Sequence, residues 1–293
     1  MLTNDSSKKQ GRHPKFGSKR DSVQSYTNTN PNTIRYETGR VKIPCVGWVK
    51  AKDNRELPFG SKICQVTIIY DHGQYYASIC YKVDEDVMSI QIDENNVIGL
   101  DYKSDGLYMN SNGECCDMPA YYRKSQDVIA KKQRRLSYKV GNCKGEKRSG
   151  NYIRQQKQLF KKIRHTANQR KDFLHKISTA IAKQYDAICV EDLNMKAMAN
   201  KRFGNGKATM DNGYGMFLAM LEYKLRDRGK QLVKVNKWFP SSQICSCCGH
   251  KQKIPLHVKI YDCPQCENCI DRDYNAAINI RNEGLRILKK KTA

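Results

Sequence analysis

The feature that most constrains this chain is Cys245-x-x-Cys248, fourteen intervening residues, then Cys263-x-x-Cys266. Each pair presents two thiolates from one tight turn, and two such knuckles close a tetrahedron around zinc. Gly249 and Pro264 suit knuckle geometry. A site closed by four thiolates keeps no open position, so zinc there is structural. It would stabilise residues 241–270, a stretch too short for a core of its own. Cys247 and Cys269 lie inside or beside the motif, and the spacing leaves open whether either takes part. Cys45, Cys64, Cys80, Cys115, Cys116, Cys143 and Cys189 form no such pattern. They read as small buried hydrophobes or free thiols of a reducing compartment.

Charge narrows the partners. The 293 residues carry a formal net charge of +24, and 39% are apolar, enough for a packed core. A polyanion is the expected partner, nucleic acid by default. No apolar run approaches the ~20 residues that span a bilayer. The first twenty residues have no apolar stretch and do not read as a secretory signal. The expected setting is the cytoplasm, with no membrane contact. Residues 121–175 hold 17 lysines and arginines against 3 acids. From 151 the apolar residues Ile153, Phe160, Ala167, Leu174 and Ile181 recur every seven, with Ile163 and Ile177 at companion positions. That is the seam of one long helix, packed on a sheet or on a second helix over 126–138. Its outer face carries Arg154, Lys157, Lys161, Lys162, Arg164 and Lys171. With Arg134 and Arg135 of the companion helix these are the candidate phosphate contacts.

Elsewhere the pattern is mixed. Residues 1–40 are polar and basic and read as a flexible arm or an extended strand lying on nucleic acid. VKIPCVGWVKA, SKICQVTIIYD and GQYYASICYKV alternate as strands within 41–92, with a hairpin turn at Asp71-His72-Gly73. They suggest a small antiparallel sheet or part of a β-barrel. NNVIGLDY is a short apolar strand ending in an acid, and Asn112-Gly113 turns a second hairpin. AICVEDLN is another such strand, residues 196–212 read as a loop, 216–229 as a helix stopped by Gly229, and 231–238 as a strand.

Three acids stand out by position. Asp101 ends VIGL, Glu191 ends AICV, and Asp273 opens the helix DYNAAINI just after the knuckles. Strand-end side chains of an α/β sheet collect at one edge. A carboxylate pocket in so basic a chain needs cations, and hard oxygen ligands select magnesium or manganese. Two such metals activate water and stabilise the leaving oxygen of a phosphodiester.

IGLDYKSDGLYMNSNG, AICVEDLNMKAM, KWFPSSQICSCCG and CPQCENCIDRDYNAAINIRNEG resemble TnpB, the OrfB-type protein of bacterial insertion sequences. HPKFGSKRDSVQSYT and VGWVKAKDNRELPFGSKI extend the likeness, so it runs over about residues 13–285. Through a shared RuvC-like nuclease domain, TnpB is related to the type V CRISPR effectors. The resemblance implies an α/β fold, an RNase H-like sheet split by insertions and carrying long basic helices. The divisions expected are the arm at 1–40, a partial wedge-like barrel at 41–92, a RuvC-like core at 93–240 with a helical insertion at 121–185, a zinc ribbon at 241–270, and the last catalytic segment with a basic helix at 271–293. It implies an RNA-guided DNA endonuclease that binds a guide RNA from the element's end and a target DNA. The catalytic carboxylates carry over as Asp101, Glu191 and Asp273, holding magnesium. Asp273 is preferred to Asp271 because the family's aspartate stands directly before the x-Asn-Ala-Ala run. Zinc carries over to Cys245, Cys248, Cys263 and Cys266. The chain is shorter than the family's usual length, which implies an N-terminal truncation that weakens guided binding. The alternatives are a non-cutting nucleic-acid-binding protein of RNA processing or repression and, ranked below it, a strand-transferring transposase.

Overall fold

The computed structural model describes residues 23–53, 56–57, 59–83, 90–140, 149–200, 206–255 and 257–292. It divides into two units, residues 1–85 and 86–293.

The first unit is built of short antiparallel strands. β1 (Val23–Asn28) pairs with β5 (Lys62–Asp71), which pairs with β6 (Gln74–Lys82). β2 (Arg35–Glu37), β3 (Arg40–Ile43) and β4 (Gly47–Lys50) form a second three-stranded sheet. The turn between β5 and β6 is the expected one, with His72 and Gly73 both at positive φ. Two expectations are corrected. The polar stretch 23–40 is no arm, because Val23 to Asn28 pair residue by residue with Asp71 to Val66. Residues 1–22 of that stretch lie outside the described residues. VKIPCVGWVKA is not one strand but a hairpin: it reverses at Pro44-Cys45-Val46, with Cys45 at φ 64° and Gly47 at φ 81°.

The second unit centres on a five-stranded mixed sheet of order β11-β10-β7-β8-β9. These are β7 (Val97–Tyr102), β8 (Tyr108–Asn110), β9 (Cys115–Cys116), β10 (Ala187–Glu191) and β11 (Gln231–Val235). β7, β8 and β9 run as an antiparallel meander, and β10 runs parallel to both β7 and β11. β7 and β10 are apolar almost throughout because both sheet faces are covered. Ile98, Leu100, Ile188 and Val190 pack one face against α2 (Gly150–Gln184) and α5 (Tyr214–Arg226), among Leu174, Phe217 and Leu221. Val97, Ala187, Cys189 and Val233 pack the other against Ile280 and Leu288 of α6 (Arg272–Thr292).

α6 lies very close to the sheet. A Cβ at Gly99 would collide with the carbonyl of Ala277 and stand 2.7 Å from the amide nitrogen of Arg281. One at Gly284 would strike the Cys189 sulfur. Glycine on both partners is what permits the approach.

α2 runs 35 residues, with Ser149 capping its start by accepting from the Tyr152 amide. It packs on α1 (Tyr121–Tyr138), where the Thr166 hydroxyl donates to Ser125 Oγ at 3.2 Å. The expected seam holds at Leu174 and Ile181 but slips by one residue further back. Leu159 and Thr166 are buried, while Ala167 and Ile153 are exposed. A straight helix of 3.6 residues per turn drifts about 20° per heptad, which moves the buried face by that amount. The expected loop at 196–212 contains α3 (Met195–Met198) and α4 (Gly206–Asn212). Asp211 of α4 is 1% exposed and accepts from the amides of Tyr122 and Arg123, capping α1 from a distance. Cys143 lies outside the described residues.

Candidate functional site

The cysteine cluster forms where the spacing places it. The sulfurs of Cys245, Cys248, Cys263 and Cys266 all lie within 4.8 Å of one another. Cys245 and Cys266 sulfurs stand 3.6 Å apart, and those of Cys248 and Cys263 3.5 Å. Tetrahedral zinc with bonds of about 2.3 Å needs sulfur separations close to these, so the donors fit the metal. β12 (Ile260–Asp262) and β13 (Cys269–Asp271) pair beneath the knuckles, with Tyr261 fully buried against Cys245 and Cys263. The amides of Gly249 and Glu267 close the two turns onto the carbonyls of Cys245 and Cys263. Cys247 and Cys269 are exposed and stand outside the cluster.

The three acids come from three remote elements. Val190 pairs with Leu100 in parallel register, so Glu191 and Asp101 follow at level positions on neighbouring strands. Both share strand parity with residues packed on α6, Gly99 and Cys189. Asp273 lies in the first turn of α6. The neighbouring acid, Asp271, has other work: its Oδ1 accepts from the amides of Asp273 and Tyr274, making it the helix N-cap. That leaves Asp273, whose side chain is 13% exposed and held by Arg272 at 3.4 Å and Lys259 at 3.8 Å.

Electrostatics join the three. Burial, then the Glu191 and Asp273 carboxylates, push Asp101 well above the usual range, with Arg272 opposing. Burial also raises Glu191, against a hydrogen bond donated by the Ser241 hydroxyl. Asp101 thus feels the charge of both other acids, and carboxylate oxygens are the donors that hard cations prefer. The oxygens of the three acids do not all fall within 4.8 Å; among the described residues only the cysteines do. Carboxylates spread over two ions ~4 Å apart need not meet that closely.

The basic candidates lie on helix surfaces. Arg134, Arg135, Arg154, Lys157, Lys161 and Lys171 are exposed; Lys162 and Arg164 are half-buried. Several contributors were not singled out from the sequence. Ser241 donates to Glu191, and Asn275 and Asn279 of α6 hold the segment that carries it. Polar residues four apart on an otherwise apolar helix face are the signal that marks the pair. Tyr214 is 1% exposed, its ring 4.8 Å from that of Tyr102, and its hydroxyl has no hydrogen-bond partner among the described residues.

Comparison with known proteins follows the same division. Residues 78–202 match the family described as a probable transposase, of the OrfB type, and residues 214–280 match the Cas12f1-like TNB domain. These matches make residues 78–202 similar to OrfB-type transposases and residues 214–280 similar to the TNB domain. The curated relatives of this chain are RNA-guided endonucleases by name and TnpB-like proteins. A "Putative RNA-guided DNA endonuclease" of Streptomyces pristinaespiralis is 29% identical over 283 residues, covering 94% of this chain and 67% of the relative. A "Putative RNA-guided DNA endonuclease InsQ" of Escherichia coli (strain K12) is 27% identical, covering 96% of this chain and 71% of that one. The chain thus spans about two thirds of these relatives. The cryo-EM structure of a Cas12f1–sgRNA–target DNA complex shares the fold, with TM-score 0.50 and 16% identity, over 76% of this chain and 46% of that one. No described helix is long and apolar enough to cross a membrane.

Proposed function

We propose that this chain is an RNA-guided, metal-dependent DNA endonuclease that hydrolyses phosphodiesters at Asp101, Glu191 and Asp273. The observation that carries the reading is the convergence of these acids at the ends of β7 and β10 and the head of α6. In chain order the sheet reads 3-2-1-4-5, with the first three strands antiparallel, as in RNase H-like folds. The relatives' names and the Cas12f1 complex support a guide RNA and target DNA as partners.

Magnesium or manganese bound there would supply Lewis-acid activation of water and stabilise the leaving oxygen. The chain's own part is positional. Asp101 and Glu191 are fixed by strand register, and Asp273 by the capped start of α6. The four cysteines would hold structural zinc. Arg134, Arg135, Arg154, Lys157, Lys161, Lys162, Arg164 and Lys171 would grip phosphates, leaving sequence to base pairing.

Asp101→Ala is expected to lower cleavage about a thousandfold or more, because a metal ligand is worth several kcal/mol. RNA binding should stay unchanged. An equal loss of binding overturns the separation of roles. A second reading, a non-cutting nucleic-acid-binding protein, draws on the basic face of α2; it predicts no divalent-dependent cleavage in wild type.

A further inference from the structure

Glu191 is not held by its strand alone. The Ser241 hydroxyl donates to its Oε1. Ser241 is 5% exposed and sits on a single 3-10 turn, Ser241–Gln243, which leads directly into Cys245. This turn is pinned by α6. Asn279 Nδ2 donates to the carbonyl of Ser241 at 2.8 Å and to that of Ile244 at 2.6 Å. One turn earlier, Asn275 Nδ2 donates to the Ile244 carbonyl at 2.7 Å, and its Oδ1 accepts from the Ser246 amide at 2.9 Å. Both asparagines are buried, at 0% and 5% exposure. Ser246 stands between two residues of the first knuckle, so the bond reaches the cysteine cluster itself. Asp273, two residues before Asn275, begins the same helix.

A continuous run of hydrogen bonds therefore joins the cysteine cluster to one of the three carboxylates. From this geometry we infer that Ser241, Asn275 and Asn279 are positioning residues, through which loading of the cysteine cluster sets the Glu191 carboxylate for divalent metal. The inference rests on the reading of the carboxylates as a metal site. Without metal at the sulfurs, only backbone hydrogen bonds such as Gly249 to Cys245 close the first knuckle, and the frame that fixes Ile244 and Ser246 is looser. Ser241 then no longer holds Glu191 in one rotamer. Partners of this kind typically change metal affinity ten- to a hundredfold when removed.

The test uses the full zinc-loaded chain and manganese alone as probe, titrated by calorimetry and electron paramagnetic resonance. Ser241→Ala is expected to bind manganese about tenfold more weakly, with zinc content and melting unchanged. Ser241→Thr should restore affinity. Asn279→Gln, which shifts the amide by one methylene, should weaken manganese binding while keeping zinc. In cleavage, Ser241→Ala should lower kcat at limiting manganese, recover at saturating manganese, and leave KM for DNA unchanged. Manganese affinity equal to wild type in Ser241→Ala and Asn279→Gln overturns the inference and leaves the carboxylate site standing. Equal manganese affinity with and without zinc overturns the coupling to the cysteines. Wild type that binds no more manganese than Asp101→Asn overturns the carboxylate reading, and this inference with it.

Discussion

The cysteine cluster, whose donors fit zinc, and the carboxylate site proposed above are opposites in how the chain assembles them. The cluster draws four soft ligands from residues 245–266 and closes on itself. The proposed carboxylate site draws on residues 101, 191 and 273, and the other two acids oppose the charge on Asp101. The first is a staple, and the second is a cost to the fold that a bound cation offsets. A short-range site can stabilise its own neighbourhood; a long-range site depends on the whole sheet to exist.

Removing zinc should give the largest effect. Chelation, or Cys263→Ser, is expected to unfold residues 245–271, since structural zinc contributes about 10 kcal/mol or more to such modules. Limited proteolysis would detect cutting confined to that stretch. An uncut ribbon would mean the hydrogen-bonded knuckles stand without metal, and the contrast fails. Gly99→Ala comes next. Its Cβ would meet backbone of α6, and overpacking of that kind costs about 3 kcal/mol or more. Thermal melting should fall while zinc content stays, because the clash lies at β7 and not at the sulfurs.

The pH dependence tests the other half. Asp101 titrates higher in the folded chain than unfolded. The neutral acid is thus favoured by folding, and its contribution is full below the ordinary aspartate range and lost as pH rises through the raised value. Metal-free protein should therefore lose stability from acid toward neutral pH. Asp101→Asn should flatten that slope, and magnesium should reverse it. A wild-type profile identical to that of Asp101→Asn would mean the pocket carries no such strain. The smallest effect concerns neither site. Replacing Lys157 and Lys161 by alanine should make the salt slope of nucleic-acid binding shallower by about 0.7–0.9 for each phosphate no longer neutralised. Titration at several salt concentrations reads that slope, with zinc content and metal affinity unchanged.

The contrast also sets what could be read from sequence. The cysteine ligands follow from spacing, because one turn fixes each pair. The ends of β7 and β10 follow from apolar runs that stop at an acid. Their convergence with Asp273 does not: it depends on register between strands nearly ninety residues apart and on glycines that let α6 approach. Resemblance to TnpB supplied it. The hairpin at Pro44–Val46, with Cys45 and Gly47 both at positive φ, was hidden inside one apolar run, whereas His72-Gly73 stands between two separate runs. α3 and α4 were hidden because composition reads Gly, Asn and Lys as loop. In the fold Asp211 caps α1, and Asn212 donates to the Ser104 carbonyl. The basic face of α2 was legible as charge, but the buried stripe slipped by a residue, since a strict heptad overstates how straight helices repeat.

The place of α6 in the chain has a consequence for biogenesis. Every strand of the mixed sheet precedes it in sequence. A growing polypeptide can pair β7, β10 and β11 as they emerge, but Val97, Ala187, Cys189 and Val233 have no cover until residues 272–292 follow. The third carboxylate arrives with that cover. A nascent chain short of this segment therefore lacks both Asp273 and the helix that covers this face of the sheet. The contacts that close this face are among the longest in sequence separation, the slowest kind to form.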